Sequence, residues 1–165
     1  MVFKAIMKRL ITLFVLLLTI LFIVFNQEKI IQQYEDIRIA LMPDPMAMNT
    51  YDNGQCTFYV FEKVKKDDKM IGRSWRDAKY WAKNAREDSY VVNQQPKKGA
   101  LLQSPRGEQG HVAYIEHVYQ NGAVKVSEMN YMKPYEITER ILYKNDIKRY
   151  QIIHPKDNPK KSPQS

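Results

Sequence analysis

The chain has 165 residues, of which 44% are hydrophobic and 27% charged, and its formal net charge is +8 at pH 7. This length accommodates one domain plus an accessory segment, and a positive charge suits acidic surfaces such as a membrane or a cell wall. The sequence contains no cluster of lysine and arginine with interleaved aromatic residues, so we expect no nucleic-acid partner.

The first element in the chain is an uncharged apolar stretch, residues 10–25, which follows Lys4, Lys8 and Arg9. As a helix it extends roughly 24 Å, and flanking residues can complete a membrane span of about 30 Å. The alternative is a cleaved signal peptide, but no small-residue cleavage pattern follows the stretch. We therefore predict one uncleaved transmembrane signal anchor at 10–25.

The distribution of basic residues around this stretch predicts its orientation. Basic residues are denser before it than after it, where only Lys29 and Arg38 follow closely. The positive-inside rule then places residues 1–9 in the cytoplasm and the remainder of the chain outside, as a single-pass protein of the cell membrane.

A helical stalk is predicted next, within residues 26–45. Its apolar residues recur at helical spacing and end at a Pro-Asp-Pro sequence: Ile30, Tyr34, Ile37 and Leu41, then Pro43, Asp44 and Pro45. The stripe could continue the membrane helix, associate with a second copy, or pack on its own domain. We place the start of the globular domain at Met46 and its end at Pro155, with 156–165 as a flexible tail.

The domain begins with two predicted helices. Apolar spacing predicts the first over Cys56–Val64, and the second starts at Ser74 with a stripe that we interpret as core: Trp75, Ala78, Trp81, Ala82 and Ala85. Strand-type patterns follow at 100–103, 111–119, 123–131 and 150–154, with an Asn121–Gly122 hairpin turn between the middle two. Helices followed by hairpins indicate an α+β domain with a mostly antiparallel sheet.

Cys56 is the only cysteine in the chain, and it lies in the part predicted to be outside the cytoplasm. Secreted domains usually pair their cysteines, so a single one suggests a reactive thiol, and the start of a helix favours its ionisation. The alternative is a buried structural cysteine. A thiolate nucleophile also needs an adjacent base and a third group that orients the base.

The predicted hairpin contains candidates for the base and for the group that orients it. A two-residue turn pairs His111 with Met132, and places His111 on the same face as Glu128 and Asn130. Such groups are costly on a buried face unless they bond to one another, so the alternatives are a catalytic cluster or a satisfied polar cluster. In this register Asn130 is nearer to His111, whereas Glu128 lies roughly 13 Å away unless a bulge shortens the separation. His117 shares the face but is interpreted as structural, and His154 as incidental.

These residues resemble the CHAP domain, a cysteine- and histidine-dependent amidohydrolase/peptidase family, over roughly residues 49–155. Besides the helix around Trp75 and Trp81, the matching stretches are GQCTFY at 54–59, PKKGA at 96–100, GHVAY at 110–114 and SEMNY at 127–131. The resemblance implies a papain-like core of the NlpC/P60 type. It also implies Cys56 as nucleophile, His111 as base, Glu128 with Asn130 beside it as orienting groups, and Gln55 with the Cys56 N–H at the oxyanion.

The activity implied by this resemblance is hydrolysis of peptidoglycan, either as a muramoyl-alanine amidase or as a stem or cross-bridge endopeptidase. The membrane segment would supply location, which suits local wall remodelling. The alternatives are a catalytically silent scaffold that binds wall peptides or partners in a secretion or conjugation machine, and a related thiol transfer activity. Some relatives carry a calcium loop before the cysteine; here Asp52 is the only carboxylate at 47–53, so we expect no calcium, other metal or cofactor.

Overall fold

The structure is a computed structural model that describes residues 2–161, except for the side chains of residues 2 and 5. The chain forms two compact units, one ending at Met42 and the other beginning at Pro43. The second unit therefore starts slightly earlier than the predicted boundary at Met46. Met46 itself is fully buried in the core of this unit.

The first unit is one continuous helix, α1 (Val2–Leu41). Its portion Ile6–Leu41 is long and apolar enough to cross a membrane. The helix ends at Leu41 because Pro43 cannot continue it, and the Met42 N–H closes the last turn on the Arg38 carbonyl at 3.0 Å. The predicted segments 10–25 and 26–41 are thus parts of the same helix.

The second unit contains short helices and eight strands within its described residues. The helices are α2 (Cys56–Lys66), a 3₁₀ helix (Ala78–Tyr80), α3 (Trp81–Glu87) and α4 (Lys144–Ile147). The strands are β1 (Lys69–Met70), β2 (Val91–Asn93), β3 (Leu101–Ser104), β4 (His111–Val118), β5 (Val124–Met129), β6 (Ile137–Leu142), β7 (Gln151–His154) and β8 (Lys156–Asp157).

Six of these strands form one antiparallel sheet in the order β2-β7-β3-β4-β5-β6, and β1 pairs with β8 separately. Both faces of the large sheet carry buried apolar residues. One face packs against α2, through Val60, Phe61, Val64, Val112 and Tyr114. The opposite face carries a second apolar cluster that includes Ala113, Ile115, Val126, Leu142 and Ile152. The predicted α+β class with an antiparallel sheet is confirmed.

The second predicted helix begins later than expected. Ser74 and Trp75 precede it, because Arg76 has a φ of 64°, in the left-handed region that a right-handed helix cannot contain. Trp75 is nonetheless buried, and its indole N–H donates to Asp88 at 2.7 Å. The stripe is core as predicted, since Trp75 and Trp81 contact each other edge to face.

The prediction of a tail from residue 156 is wrong for its first residues. Lys156 and Asp157 form β8 against Met70 and Lys69, and Asn158 is buried with its amide donating to Asp44 at 2.8 Å. Polar sequence alone gave no sign of this contact, because the partner strand is distant along the chain. The remainder of the predicted tail, 162–165, lies outside the described residues.

Candidate active site

Cys56 is the first residue of α2, where the backbone N–H groups of the helix have no partner within the helix. Gly54, two residues earlier, has a φ of 80° and lies directly under the ring of Tyr135, so a side chain there would be strained and would clash. Cys56 is 8% exposed and lines a cavity of about 550 Å³. The sequence therefore places a thiol at a helix N-terminus, on the wall of a pocket.

His111 is the first residue of β4, and the loop before it is fixed against the 3₁₀ helix. The Lys79 N–H donates to the Gln109 carbonyl at 2.9 Å. Gly110 has a φ of 73°, and a Cβ there would collide with the backbone of Lys79. These contacts determine where β4 begins and hence where the imidazole lies.

The His111 ring hydrogen-bonds to Glu128 and interacts with the side chain of Cys56. The distance from its Nε2 to Glu128 Oε2 is 2.8 Å, and Cys56 is close enough to contribute to the raised pKa of the ring. The expectation that Asn130 is the nearer partner of His111 is wrong. β5 ends at Met129, and Asn130, with a φ of 62°, directs its side chain to Gln55, whereas the hairpin register brings Glu128 within hydrogen-bond reach of His111.

Two irregularities produce this register. The connection is three residues long, since the Tyr119 N–H pairs with the Ala123 carbonyl at 2.8 Å. A bulge then leaves Glu116 unpaired between the pairs Ile115–Val126 and His117–Lys125. Each shifts the pairing by one residue, so Glu128 lies opposite Ala113 instead of Ile115, two residues closer to His111 than a two-residue turn would place it, and on the same face. The bulge also turns His117 to the other face.

The electrostatics of the site favour a protonated His111. Burial alone lowers the pKa of an imidazole, but the hydrogen bonds and charges of Cys56 and Glu128 outweigh it and raise the pKa of His111 to about 9. Burial likewise raises the pKa of Glu128, yet the hydrogen bonds from His111 and Arg140 hold it below its usual value. At neutral pH the site therefore contains an imidazolium between the Glu128 carboxylate and the Cys56 side chain.

Arg140, on β6, is a site residue that the sequence interpretation missed. Its Nε donates to Glu128 Oε1, its Nη2 donates to Oε2 at 3.2 Å, and its guanidinium lies 3.9 Å from the centre of the Tyr131 ring. The β-branched residues of ITERIL at 137–142 are a weak strand signal that could have located β6, although not the role of Arg140.

Asn130 contacts Gln55 rather than His111. Its Nδ2 donates to Gln55 Oε1 at 3.1 Å, and its Oδ1 accepts the Tyr135 N–H. Because Oε1 of Gln55 is occupied, its Nε2 hydrogens remain as donors beside Cys56 in the sequence. Gln55 also lines the cavity that contains Cys56.

The other two histidines lie apart from this group. His154 Nε2 is 2.9 Å from Asn93 Oδ1, and burial followed by the charge of Lys97 lowers its pKa. The ring of His117 packs against Tyr119. Within residues 2–161, no group of three or more His, Cys, Asp or Glu side chains is arranged to hold a metal ion.

The fold and the geometry together define the class of this domain: a papain-like α+β core with a cysteine at a helix start and a histidine on the adjoining sheet. The chain belongs to the CHAP domain family, whose model matches residues 46–130. The resemblance identified from the sequence is thereby confirmed.

Curated relatives share this domain. The chain is 44% identical over 107 residues to a probable autolysin, SsaALP, of Staphylococcus aureus (strain NCTC 8325 / PS 47), covering 64% of this chain and 40% of the relative. It is 45% identical over 107 residues to the staphylococcal secretory antigen ssaA2 of the same strain, covering 64% and 39%. The chain thus spans about two fifths of the length of these relatives.

A solved structure is also similar. The crystal structure of an N-acetylmuramoyl-L-alanine amidase from Staphylococcus aureus has a TM-score of 0.62 and 29% identity, and the match covers 65% of this chain and 32% of that one. The shared region is therefore a part of the amidase comparable in size to this domain.

Proposed function

We propose that this protein hydrolyses amide bonds in bacterial peptidoglycan, with Cys56 as the nucleophile. The observation that carries the proposal is that Cys56 lines a cavity and interacts with the ring of His111, which in turn hydrogen-bonds to Glu128. Thiol hydrolases require this combination of nucleophile, base and orienting group. The family membership and the names of its relatives, an autolysin and a muramoyl-alanine amidase, support peptidoglycan as the substrate.

In this mechanism His111 takes the proton of the Cys56 thiol, and the sulfur attacks the amide carbonyl and forms a tetrahedral oxyanion. The Cys56 N–H and the Gln55 carboxamide donate hydrogen bonds to it, and one such donor is typically worth about 3 kcal/mol of barrier. His111 gives its proton to the departing amine as the C–N bond breaks, which leaves a thioester. His111 then takes a proton from water as the oxygen attacks the thioester carbonyl. The C–S bond breaks, His111 returns the proton to the sulfur, and the acid product leaves the regenerated Cys56 thiol.

The bond that is cut is either the muramoyl–alanine amide or a peptide bond of the stem or cross-bridge. The same thiol chemistry serves all of these, and groove shape selects among them. The name of the similar solved structure favours the muramoyl–alanine amide as the first bond to examine.

We further propose that α1 anchors the protein in the cell membrane. Residues 1–9 would lie in the cytoplasm, 10–25 in the bilayer and 26–45 at the outer surface, with the catalytic domain facing the wall. The apolar composition of Ile6–Leu41 supports this arrangement, and an anchored enzyme suits local remodelling. Protease added to intact wall-free cells should remove the domain, whereas a cytoplasmic domain would be protected.

The decisive experiment compares the full chain with Cys56→Ala and Cys56→Ser, each solubilised in detergent, on purified Gram-positive peptidoglycan. We expect the wild type to release fragments whose masses identify the cleaved bond, and both variants to release none. Tryptophan fluorescence would establish that the variants are folded. A folded wild type that releases no fragments but binds the wall as well as Cys56→Ala does would instead support the scaffold alternative.

A further inference from the structure

We propose that Arg140 is a positioning residue for catalysis, which fixes the Glu128 carboxylate in the ionised state and orientation that His111 requires. The role of Arg140 rests on the function proposed above and extends it. The family model ends at residue 130, so this arginine, on β6, lies outside the matched region.

The first argument is that Arg140 contacts both carboxylate oxygens of Glu128. Glu128 is fully buried, and each of its oxygens accepts a hydrogen bond from Arg140. The oxygen that accepts Nη2 at 3.2 Å is the same Oε2 that lies 2.8 Å from the His111 ring. A two-point contact of this kind fixes the rotation of the carboxylate, and therefore the direction in which Oε2 faces the imidazole.

The second argument is charge. A buried carboxylate without a cation takes up a proton, and a protonated Glu128 would lose its preference for an imidazolium. Arg140 prevents this at neutral pH, since its guanidinium stays charged at any pH that the enzyme encounters.

The third argument is that Arg140 is itself held in place. Its side chain is only 20% exposed, and its guanidinium stacks on Tyr131. The Tyr131 ring also packs against the ring of His111 at a centroid distance of 5.7 Å. The arginine, the carboxylate and the imidazole thus contact one another in series, and Tyr131 packs against both the arginine and the imidazole.

The test uses the full chain in detergent as wild type, Arg140→Gln and Arg140→Lys. Two rates are measured against pH: hydrolysis of soluble peptidoglycan fragments, and alkylation by iodoacetamide, which is specific because Cys56 is the only cysteine. For Arg140→Gln we expect hydrolysis to fall roughly 10- to 100-fold, the range typical of residues that orient a functional group from outside. In this variant the acid-side midpoint, the pH at which the rate falls to half on the acid side, should move to higher pH in both measurements. The reason is that the Glu128 carboxylate has lost the Arg140 cation.

Arg140→Lys should restore the acid-side midpoint but not the full rate, since lysine keeps the charge and loses the two-point contact. A merely structural arginine predicts equal losses in both variants with no movement of the midpoint. That result, or a wild-type rate and midpoint in Arg140→Gln, would overturn the proposal.

Glu139→Gln is the matched control. It breaks an ion pair of 2.7 Å with Lys125 across the same two strands, one residue away, without touching Glu128. We expect wild-type rates and midpoints, and a shift as large as that of Arg140→Gln would also overturn the proposal. If the wild type itself hydrolyses nothing, the proposed function fails, while the alkylation profiles still decide the role of Arg140.

Discussion

Asn130 and Gln55 are joined by a hydrogen bond of 3.1 Å from Nδ2 to Oε1, although they are 75 residues apart. The contact links the end of β5 to the residue immediately before the nucleophile. It also separates the tasks of two neighbouring polar residues. Glu128 contacts the base, whereas Asn130 holds the group proposed to face the oxyanion, so variants of the two should fail in different ways.

Glu128→Gln should lower kcat and change the pH dependence. The amide cannot hold the imidazolium as a carboxylate does, and loss of an orienting carboxylate in a catalytic triad costs up to roughly 10⁴-fold in kcat. Because Glu128 contributes to raising the pKa of His111 to about 9, the alkaline limb of kcat/KM should lie near pH 9 in the wild type and at lower pH in the variant.

The comparison variant for this pH profile is Asn130→Asp, which leaves the contact between His111 and Glu128 intact. Its alkaline limb should stay close to that of the wild type. A limb that does not move in Glu128→Gln would mean that this carboxylate does not control the proton on His111.

Asn130→Asp should itself reduce kcat, through Gln55. Aspartate keeps the acceptor for the Tyr135 N–H and tolerates the φ of 62° at this position, but it cannot donate to Gln55 Oε1. The Gln55 amide would then turn its NH₂ group toward the new carboxylate and away from the oxyanion. Because one oxyanion donor is worth about 3 kcal/mol, the loss should approach roughly 100-fold.

A double-mutant cycle tests this coupling. Gln55→Ala alone should lose about as much activity as Asn130→Asp, and the double variant should lose little more than Gln55→Ala. Fully additive losses would show that Asn130 acts on catalysis independently of Gln55.

Much of this arrangement is predictable from local sequence, and the rest depends on distant pairing. The start of α2, the first residue of β4 and the shared face of His111 and Glu128 follow from periodicity and parity. The register of the β4–β5 hairpin could not be predicted in this way. Asn121–Gly122 indicates a two-residue turn, and the bulge at Glu116 depends on tertiary partners. Glu116 accepts hydrogen bonds from Ser127 at 2.6 Å and from Lys63 of α2 at 2.6 Å.

The contribution of β6 illustrates the same limit. Ile137 and Ile141 of β6 are exposed although they are apolar. The strand therefore does not show the pattern of buried apolar and exposed polar residues that predicts a half-buried strand. Arg140 reaches Glu128 only because β6 pairs with β5. A charged residue in an exposed strand is ordinarily solvated, and sequence alone gives no reason to treat this one differently.

Gly110→Ala should destabilise the domain and impair activity, whereas Gly107→Ala should only destabilise it mildly. Both glycines have a positive φ, 73° and 82°, so alanine costs about 1–2 kcal/mol of backbone strain at either position. Only at Gly110 would the new Cβ collide with the Lys79 backbone, since nothing lies within 4 Å of Gly107. The collision would also displace His111.

Urea unfolding followed by tryptophan fluorescence measures this difference, because both tryptophans are buried in the second unit. We expect the free energy of unfolding to fall by at least about 1 kcal/mol more in Gly110→Ala than in Gly107→Ala. Equal losses, with activity retained in both variants, would contradict the role of the Gly110 contact in placing His111.

Asn158→Ala should destabilise the domain, because residues 156–158 belong to it. The buried amide donates to Asp44 at 2.8 Å, and its loss leaves a buried polar contact unmade at a cost of about 1–3 kcal/mol. The Asn158 hydrogen bond is also the main cause that lowers the pKa of Asp44. A lowered carboxyl pKa stabilises the fold above the unfolded value near 3.8 and loses this effect as the pH falls through the folded value.

The difference in unfolding free energy between wild type and Asn158→Ala should therefore be largest near neutral pH and shrink below about pH 4. Asp157→Ala is the control, since its carboxylate is 72% exposed in an ion pair with Lys69 and such pairs contribute at most about 1 kcal/mol. If Asn158→Ala unfolds at the same urea concentration as Asp157→Ala at pH 7, the chain after His154 does not stabilise the domain. A clear separation between the two variants would extend the domain through Asn158 and tie its last strand to its first residues.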